Sequence, residues 1–459
     1  MKPYESYKET NIPWVKKIPS HWNVNRIGCL FSERKIKVSD KVYFPLSVTK
    51  NGIVPQLSTA AKSDDGDNRK LVFTGDFVIN SRSDRKGSSG ISPLTGSVSL
   101  INIVLEPRQE NHSKYMHYLL RSHPFIEEYY RNGRGIVADL WTTRYNEMKT
   151  IMLPVPPRPE QDQIVRYLDW QLSKINKLIK AKKKQIVLLN EQKQAIINKA
   201  VTKGLDDTVP MKDSGVEWIG VIPQNWKIAR LKRFCKVNAT ISHLTSKFND
   251  EDMLVFLPME NVSTNGIIDC SEKRSYKDIK CGYSSFAKND VIVAKITPCF
   301  ENGKGACLDK LETEIGYGST EFITLRAYNN ILPKYLYYIT QLSWFRLFGA
   351  EVMTGSAGQK RVPSDYVANF TLGVPKISQQ LQIVEFIERS IIDLDLISTK
   401  VLKEVDLINE YKTSLISSVV TGKVDVRDIV VPNVEYEIEP IEDTYCDDKK
   451  NDNLDEVEE

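Results

Sequence analysis

The chain has 459 residues, of which 41% are hydrophobic, 27% charged and 9% aromatic. This length predicts two or three domains with substantial cores, and the composition excludes a disordered, collagenous or membrane-embedded chain. No apolar run reaches eighteen residues and no apolar stretch follows Met1, so we expect neither a transmembrane helix nor a secretory signal. We therefore expect a cytoplasmic protein.

The net charge of +4 conceals an uneven distribution along the chain. Residues 435–459 contain twelve acidic side chains and two lysines, which leaves a net charge of +14 on residues 1–434. An acidic, aromatic-poor terminus is typical of a solvated and disordered tail. A basic folded body is typical of proteins that bind a polyanion.

Two segments of the chain each occur twice. Residues 8–27 align without a gap on residues 212–231, which pairs Trp14 with Trp218 and Trp22 with Trp226. Residues 153–206 recur 219 positions later, as residues 372–425. A period of roughly two hundred residues is too long for a solenoid. It predicts two copies of one plan, related by pseudo-two-fold symmetry.

The longer repeat has a helical period. Apolar or aliphatic-stemmed side chains recur in steps of four and three residues, which is the spacing of a coiled-coil seam. Proline-bearing turns precede both spans, and Gly204 and Gly422 end them. The predicted seam residues are Ile164, Leu168, Leu172, Ile175, Ile186, Leu189 and Ile196 in the first span, and Ile383, Ile387, Ile391, Leu394, Val401, Ile408 and Leu415 in the second.

Such a helix cannot bury its apolar stripe alone. The first span, 158–206, has eleven Lys or Arg and five acids, whereas the second, 376–425, has six and eight. Opposite net charges favour pairing within the chain, and an antiparallel pair is the simplest geometry, with one globular region at each end. The alternative is two unrelated core helices.

The regions between the repeats have a mixed α+β pattern. Apolar runs within 41–57 and 252–268 are interrupted by Asn-Gly, which predicts strands and turns. Residues 76–79 and 290–293 predict further strands, each followed by a Gly-bearing loop, and short helices follow near 113–120 and 333–339. Both regions are basic, with net charges of +6 over 20–152 and +4 over 223–373.

Basic loops at comparable positions in the two regions are the candidate DNA-binding sites. Gly/Ser loop amides and Lys or Arg heads bind phosphates, and Arg, Gln or Asn also read base edges. The sequence does not decide which residues contact bases, and each loop alone could be an ordinary solvated turn. The candidates are Arg82, Arg85, Lys86, Arg131 and Arg134 in the first region, and Lys295, Lys304, Gln359, Lys360 and Arg361 in the second.

Motifs for catalysis are missing from the sequence. It contains neither a phosphate-binding Gly-x-x-x-x-Gly-Lys-Ser/Thr nor a dinucleotide Gly-x-Gly-x-x-Gly after a strand, and Pro157 is followed by Arg158 instead of the aromatic residues of adenine methyltransferases. No carboxylate cluster recurs in both halves, so a nuclease is disfavoured. We expect no metal site, because five histidines lack ligand spacing and seven cysteines form no Cys-x-x-Cys: reduced, mostly buried thiols are the simpler expectation.

Taken together, these motifs resemble the specificity subunit of type I restriction-modification enzymes. The resemblance is carried by Trp-x-x-x-Ile-Pro-x-x-Trp, starting at Trp14 and at Trp218, and by the proline-rich turn into a long helix at 156–161. The second turn departs from the usual pattern, with Gln379 where glutamate is usual. The resemblance covers residues 8 to about 428.

The resemblance implies an α+β fold with two target-recognition domains joined by two long antiparallel coiled-coil helices. We therefore expect the first domain at 1–152, the first helix at 153–206, the second domain at 207–372, the second helix at 373–428 and an acidic, disordered tail at 429–459.

It also implies a non-catalytic reader of a split DNA site within a type I deoxyribonuclease and adenine-N6 methyltransferase. The helices would fix the spacer and dock two methyltransferase subunits, and two restriction subunits could join. This chain would bind no cofactor, whereas its partners would use S-adenosylmethionine, ATP and Mg. The alternatives are a stand-alone DNA-binding nuclease and a coiled-coil protein scaffold.

Overall fold

The computed structural model describes residues 2–57, 66–108, 112–135, 141–356 and 358–432. The chain divides into two compact units. Unit 1 comprises Met1–Lys184 with Leu402–Glu459, and unit 2 comprises Gln185–Val401. Each unit therefore contains one globular region together with part of each long helix.

Unit 1 contains thirteen described strands and four short helices before the first long helix. The strands are β1 (Tyr7–Ile12), β2 (Val15–Pro19), β3 (Asn23–Arg26), β4 (Phe31–Glu33), β5 (Lys37–Val38), β6 (Leu46–Thr49), β7 (Gly52–Pro55), β8 (Arg69–Val72), β9 (Phe77–Asn80), β10 (Ser89–Ile91), β11 (Gly96–Val98), β12 (Asn102–Pro107) and β13 (Met152–Val155). The helices are α1 (Ile27–Leu30), α2 (Ser113–Leu120), α3 (His123–Arg131), α4 (Tyr145–Met148) and the long α5 (Arg158–Lys203).

An antiparallel four-stranded sheet in the order β10-β9-β12-β4 organises unit 1. The central strand β9 is buried at all four positions, as its apolar sequence after Asp76 predicts. A second sheet has the order β11-β8-β5. The predicted Asn-Gly turn joins β6 to β7, with Thr49 opposite Gly52. Gly52 has φ +117°, in the region that favours glycine.

Unit 2 contains twelve described strands. They are β14 (Met211–Asp213), β15 (Val221–Pro223), β16 (Lys227–Arg230), β17 (Cys235–Val237), β18 (Met253–Leu257), β19 (Lys273–Ser275), β20 (Ser284–Ala287), β21 (Val291–Ala294), β22 (Gly305–Cys307), β23 (Ile315–Gly318), β24 (Phe322–Ala327) and β25 (Thr371–Val374). The helices are α6 (Ser242–Thr245), α7 (Tyr276–Ile279), α8 (Pro333–Thr340), α9 (Ser343–Glu351), α10 (Ser364–Asn369) and the long α11 (Ile377–Val420).

Two four-stranded sheets organise unit 2. One has the order β17-β24-β21-β22, and its central strand β21 is fully buried. The other has the order β19-β18-β23-β20, in which β18 and β23 pair in parallel. The predicted strands at 76–79 and 290–293 and the predicted helices near 113–120 and 333–339 are therefore confirmed.

The core of each unit contains side chains from the sheet, from both long helices and from the tryptophan motif, which is the Trp-x-x-x-Ile-Pro-x-x-Trp segment that starts at Trp14 or Trp218. In unit 1, Trp22 and Tyr115 lie in one apolar cluster with Leu168 of α5 and Val419 of α11. In unit 2, Trp226 and Tyr335 lie in one cluster with Val201 of α5 and Ile387 of α11. The helix ends are thus parts of the globular cores, because their apolar stripes supply side chains to them.

Each long helix has a buried glutamine in its first turn. Gln161 Nε2 donates to Pro156 O at 2.9 Å, and its Oε1 accepts from the backbone of His112 at 3.0 Å. Gln380 makes the same bonds, to Pro375 O at 3.0 Å and from the backbone of Leu332 at 2.8 Å. The N–H groups and the oxygen of a buried amide both need hydrogen-bond partners. These glutamines therefore connect the turn before each long helix to the start of α2 in unit 1 and of α8 in unit 2.

The seam positions are mostly buried. Leu189, Ile196, Ile391 and Ile408 are partly buried, and the other ten predicted seam residues are buried. Lysines occupy some of the remaining seam positions and bond to the facing helix. In unit 1, Lys182 Nζ lies 2.6 Å from Glu404 Oε2, and Lys412 Nζ donates to Asn176 at 3.1 Å. In unit 2, Lys193 Nζ lies 3.1 Å from Asp395 Oδ1.

The structure differs from the expectations for the cysteines and for the acidic tail. The expectation of mostly buried thiols is wrong for the described cysteines, since Cys29 and Cys281 are exposed and only Cys235 and Cys307 are buried. The disordered tail predicted from 429 is wrong for its first residues, because Ile429 and Val431 pack against the core of unit 1. From 433 onward this tail lies outside the described residues. In the part of the chain that the structure describes, no helix combines the length and the apolar composition needed to cross a membrane.

Candidate nucleic-acid interface

Two predicted basic loops of unit 1 meet at Thr142. The segment after β9 forms a backbone bridge between Arg82 and Thr142, and the segment after α3 forms a second bridge between Arg134 and Thr142. Ser83 N also donates to Trp141 O at 3.1 Å. The fold therefore brings Arg82 and Arg134 together, although fifty-two positions separate them in sequence.

Unit 2 contains the same arrangement around Arg361. The segment after β21 bridges Ile296 to Arg361, and the segment after α9 bridges Thr354 to Arg361. Thr297 N donates to Lys360 O at 2.9 Å, and Val362 N donates to Lys295 O at 2.8 Å. Three predicted residues, Lys295, Lys360 and Arg361, thus lie on joined segments. Lys304 lies across the loop, where its carbonyl accepts from Ala294 N at 2.9 Å.

Several of the candidate cations in unit 1 are already paired with acids of the protein. Arg131 makes a bidentate pair with the buried Glu128, with both distances at 2.8 Å. Lys86 lies 2.7 Å from Glu127. Looser pairs join Arg134 to Glu147 at 3.5 Å and Arg85 to Asp84 at 3.6 Å. Arg82 is exposed and forms no ion pair within the described residues.

The candidates of unit 2 divide in the same way. Arg361 binds Glu321 through two guanidinium nitrogens, with Nη2–Oε1 at 2.8 Å and Nε–Oε2 at 2.9 Å. This hydrogen-bonded guanidinium lowers the pKa of Glu321. Lys295, Lys304 and Lys360 form no ion pair among the residues described, and the Gln359 side chain is exposed. These four side chains can therefore accept new partners without breaking an existing ion pair.

A buried aspartate precedes the central strand of each unit. Asp76 accepts from Arg34 at 2.8 and 3.1 Å and from Phe73 N at 2.8 Å. Asp290 accepts from Arg326 at 2.8 and 2.7 Å. These bonds raise the pKa of both arginines. Because each aspartate also fixes a tight turn, the pair sets where the strand and its basic loop begin.

Arg34, Arg326 and a set of polar residues beside Arg82 were not identified as candidates from the sequence. Lys35, Lys70, Arg144 and Asn146 line a cleft of about 450 Å³ in unit 1 that also contains Arg82. They come from the segment after β4, from β8, and from the start of α4 with the residue before it, so only the fold brings them together. No repeat signal marked Arg144, because the residue two positions after Arg361 is Pro363.

The described histidines form no metal site. His21 Nε2 lies 2.7 Å from the buried Glu160, His112 caps α2, and His123 lies 3.5 Å from Glu127. His117 is held against Ile91 and Arg121, and His243 is exposed. Across the described ranges, no group of three or more His, Cys, Asp or Glu side chains could hold a metal ion.

One protein family matches part of the chain. Residues 223–407 match the family described as "Type I restriction modification DNA specificity domain". This range includes most of the globular region of unit 2, with its joined loops, and most of α11.

Curated relatives and a solved structure extend this similarity. The EcoAI specificity subunit of Escherichia coli is 38% identical over 167 residues, which are 36% of this chain and only 27% of that relative's length. The MjaVIII specificity subunit of Methanocaldococcus jannaschii is 24% identical over 92% of this chain and 98% of its own. A structure titled "Structural basis underlying complex assembly and conformational transition of the type I R-M system" covers 89% of this chain and 99% of its own, with 14% identity and a TM-score of 0.56, and so shares the fold. Residues 223–407 are therefore similar to the type I restriction modification DNA specificity domain, and 92% of the chain is similar to a type I restriction enzyme specificity subunit.

Proposed function

We propose that this chain is the DNA-sequence recognition subunit of a type I restriction-modification complex and has no catalytic site of its own. Each unit would read one half of a split DNA site. The observation that carries the proposal is the recurrence of joined basic loops, at Arg82, Thr142 and Arg134 in one unit and at Ile296, Arg361 and Thr354 in the other. Two similar loop clusters in one chain suit a target made of two short sequences.

The free cations support DNA as the ligand. Arg82 in unit 1 and Lys295, Lys304 and Lys360 in unit 2 form no ion pair in the described part of the chain. Cations without an internal partner can bind phosphates and release the counterions of DNA. We therefore expect the affinity for DNA to fall steeply as salt is raised.

We also propose that the two long helices form an antiparallel coiled coil in a pseudo-two-fold arrangement. Within unit 1, Asn176 contacts Lys412 and Lys182 contacts Glu404, so the residue numbers run in opposite directions. The two units also repeat the same tyrosine contact. Tyr115 donates to Val420 O in unit 1, and Tyr335 donates to Val201 O in unit 2. Each tyrosine thereby binds the end of the helix that follows the other globular region.

Helix α11 is the proposed docking surface for methyltransferase subunits. Several of its large apolar side chains outside the seam are solvent-exposed, which is unusual for so many large residues on one helix. The fractional exposure is 66% for Ile392 and 55% for Leu396 in unit 2, and 62% for Leu407 in unit 1. A partner's apolar helices would cover this stripe. Ile392→Glu should abolish co-purification with the methyltransferase, whereas Lys177→Glu, at an exposed lysine of α5, should not.

The chemistry of the complex would belong to the partners. We propose that this chain binds no cofactor, that the methyltransferase subunits bind S-adenosylmethionine, and that two restriction subunits could join and use ATP and Mg. The complex would act on cytoplasmic DNA.

Mapping methylated adenines in the genome, with and without this chain, tests the proposed function. We expect one split sequence to lose its methylation when the chain is removed. Exchanging residues 20–152 for the same region of a relative should then change one half of that sequence only. A change in both halves would count against independent readers.

The alternatives give different results. A nuclease would cut DNA as the purified chain, without other subunits. A protein scaffold would select no sequence from random duplexes, although it would still bind its partners.

A length change in the helices tests their role as a spacer. Inserting seven residues near Lys182 and seven near Val401 keeps the heptad phase of both helices. Both half-site sequences should stay the same while the unread spacer between them becomes longer. An unchanged spacer would falsify the proposal that the helices set this distance.

A further inference from the structure

A basic cleft opens in unit 1 beside the joined loops. Its volume is about 450 Å³, and its lining includes four cations, Lys35, Lys70, Arg82 and Arg144, with one carboxylate, Glu33. The cleft is defined by these five residues. Four positive charges against one negative charge favour an anionic ligand.

The carboxylate in the cleft is already in use. Lys70 Nζ lies 3.4 Å from Glu33 Oε1, and Lys35 Nζ lies 3.3 Å from Glu33 Oε2. Lys70 also donates to Asn102 O at 2.7 Å. Glu33 is only 11% exposed, so it offers no open acceptor to an incoming ligand. Its two lysines leave one excess positive charge in the cleft.

The backbones of Arg82 and Arg144 are held by hydrogen bonds, whereas their guanidinium groups are exposed. The backbone of Arg82 is bridged to Thr142, its N–H donates to Asn80 Oδ1 at 3.0 Å, and its carbonyl accepts from Tyr130 Oη at 3.1 Å. The carbonyl of Arg144 accepts from Met148 N at 3.0 Å at the start of α4. Both side chains are exposed, and neither forms an ion pair within the described residues.

We propose that this cleft holds a phosphate of the DNA backbone, with the guanidinium groups of Arg82 and Arg144 as its ligands. The inference rests on the proposed function and names the contact that unit 1 would make. Guanidinium groups only donate hydrogen bonds and match the oxygens of a phosphate in bidentate geometry. Arginine also reads guanine edges, so an equal loss of affinity on every duplex is the result that distinguishes a phosphate contact from base reading.

The phosphate anchor belongs to unit 1 only. The bridge that joins Arg82 to Thr142 corresponds in unit 2 to the bridge between Ile296 and Arg361. Ile296 therefore occupies the place of Arg82. Pro363, two residues after Arg361, occupies the place of Arg144. Unit 2 would thus lack the arginine contacts to the DNA backbone that unit 1 makes through Arg82 and Arg144.

Salt-dependent binding of the full chain to duplex DNA tests the anchor. The variants are Arg82→Ala, Arg144→Ala and the double substitution. Arg108→Ala is the matched control, because Arg108 is an exposed arginine of unit 1 outside the cleft. Binding is measured by fluorescence anisotropy at several salt concentrations, on the duplex that the wild-type chain selects and on unrelated duplexes. Thermal unfolding of each variant should match the wild type, because the substituted heads are exposed.

Each of the two single cleft variants should weaken binding about tenfold at low salt and make the slope of log K against log salt shallower by about 0.9. The double substitution should weaken binding at least as much as either single one. The loss should be equal on all duplexes, and Arg108→Ala should leave the selected duplex's affinity within about twofold. Wild-type slopes in both cleft variants, or a loss confined to one base position, would overturn the anchor and leave the proposed function standing. A wild-type chain that binds no duplex at any salt concentration would overturn both.

Discussion

The indole N–H of Trp22 donates to Glu160 Oε1 at 3.0 Å, where the tryptophan motif meets the first turn of α5. Tyr4 Oη donates to the same oxygen at 2.6 Å, and His21 Nε2 lies 2.7 Å from Oε2. Burial next to this carboxylate raises the pKa of Tyr4. One buried carboxylate thus joins the chain start, the tryptophan motif and the helix. In unit 2 the corresponding residue is Gln379, whose Oε1 has no hydrogen-bond partner among the described residues.

We predict that Glu160→Ala lowers the free energy of unfolding of unit 1 by about 2–4 kcal/mol. The substitution leaves the buried Trp22 and Tyr4 donors without an acceptor, which costs more than the loss of one hydrogen bond. Glu160→Gln keeps one acceptor and should cost about half as much. Urea unfolding of the full chain measures both, and hydrogen exchange at the first turn of α5 locates the effect. Equal losses in the two variants would contradict the proposed cause.

A matched pair of glycines predicts unequal costs of the same substitution. Gly422 and Gly204 follow the two long helices, with φ of +75° and +80°. A Cβ on Gly422 would overlap Pro19 Cδ and lie 3.2 Å from the Trp22 ring, whereas a Cβ on Gly204 would meet Trp226 at an ordinary 3.4 Å. Gly204→Ala should therefore cost roughly 1 kcal/mol from backbone strain alone.

Gly422→Ala adds a collision with a proline ring, which cannot turn aside as a flexible side chain would. We expect a total loss of about 3 kcal/mol in urea unfolding for this variant. A cost of Gly422→Ala no larger than that of Gly204→Ala would show that Pro19 moves freely.

Charge reversal across the helices tests the contact between Lys182 and Glu404. Either Lys182→Glu or Glu404→Lys places like charges in contact and should cost about 0.5–1 kcal/mol in unit 1, since both side chains are partly exposed. The double variant restores an opposite pair and should regain most of the loss. A double-mutant cycle by urea unfolding measures the coupling, which should shrink in about 1 M salt.

The sequence predicted the periodic elements well and the assembled surfaces poorly. The seam steps from Ile164 to Ile196, and the prolines and glycines around them, located both long helices, because helix formation follows local pattern and punctuation. The expected spans, 153–206 and 373–428, overshoot the observed helix ends by about three to eight residues. The strands before the basic loops were equally visible, since Asp76 and Asp290 each precede a fully apolar run.

The contents of the cleft could not be predicted in this way. Lys35, Lys70 and Arg144 come from three separate elements, and only the long-range pairing of strands brings them together. Pairing also decided which predicted loop cations are free. Arg131 and Arg361 looked like DNA ligands in sequence, yet each makes a bidentate bond to a carboxylate of its own unit.

A partly buried histidine in unit 1 predicts a loss of stability in mild acid. His117 Nδ1 accepts from Ile91 N at 3.2 Å, and Arg121 Nη1 lies 3.1 Å from its Nε2. Burial, followed by the charges of Arg121 and Lys114, lowers the pKa of His117 from 6.5 to about 3. Below pH 6.5, His117 therefore becomes protonated in the unfolded chain while it stays neutral in the folded chain. The contribution of neutral His117 to stability is complete above pH 6.5 and is lost progressively as the pH falls towards 3.

The expected slope for this one group is at most about 1.4 kcal/mol per pH unit, or roughly 2 kcal/mol between pH 6.5 and 5. His117→Gln keeps an acceptor for Ile91 but cannot take up the proton, so its urea unfolding free energy should fall less over this range than that of the wild type. His243→Gln, at an exposed histidine of unit 2, is the control for the substitution itself. Parallel pH curves for the wild type and His117→Gln would mean that the folded chain accepts the proton at His117, despite the nearby arginine.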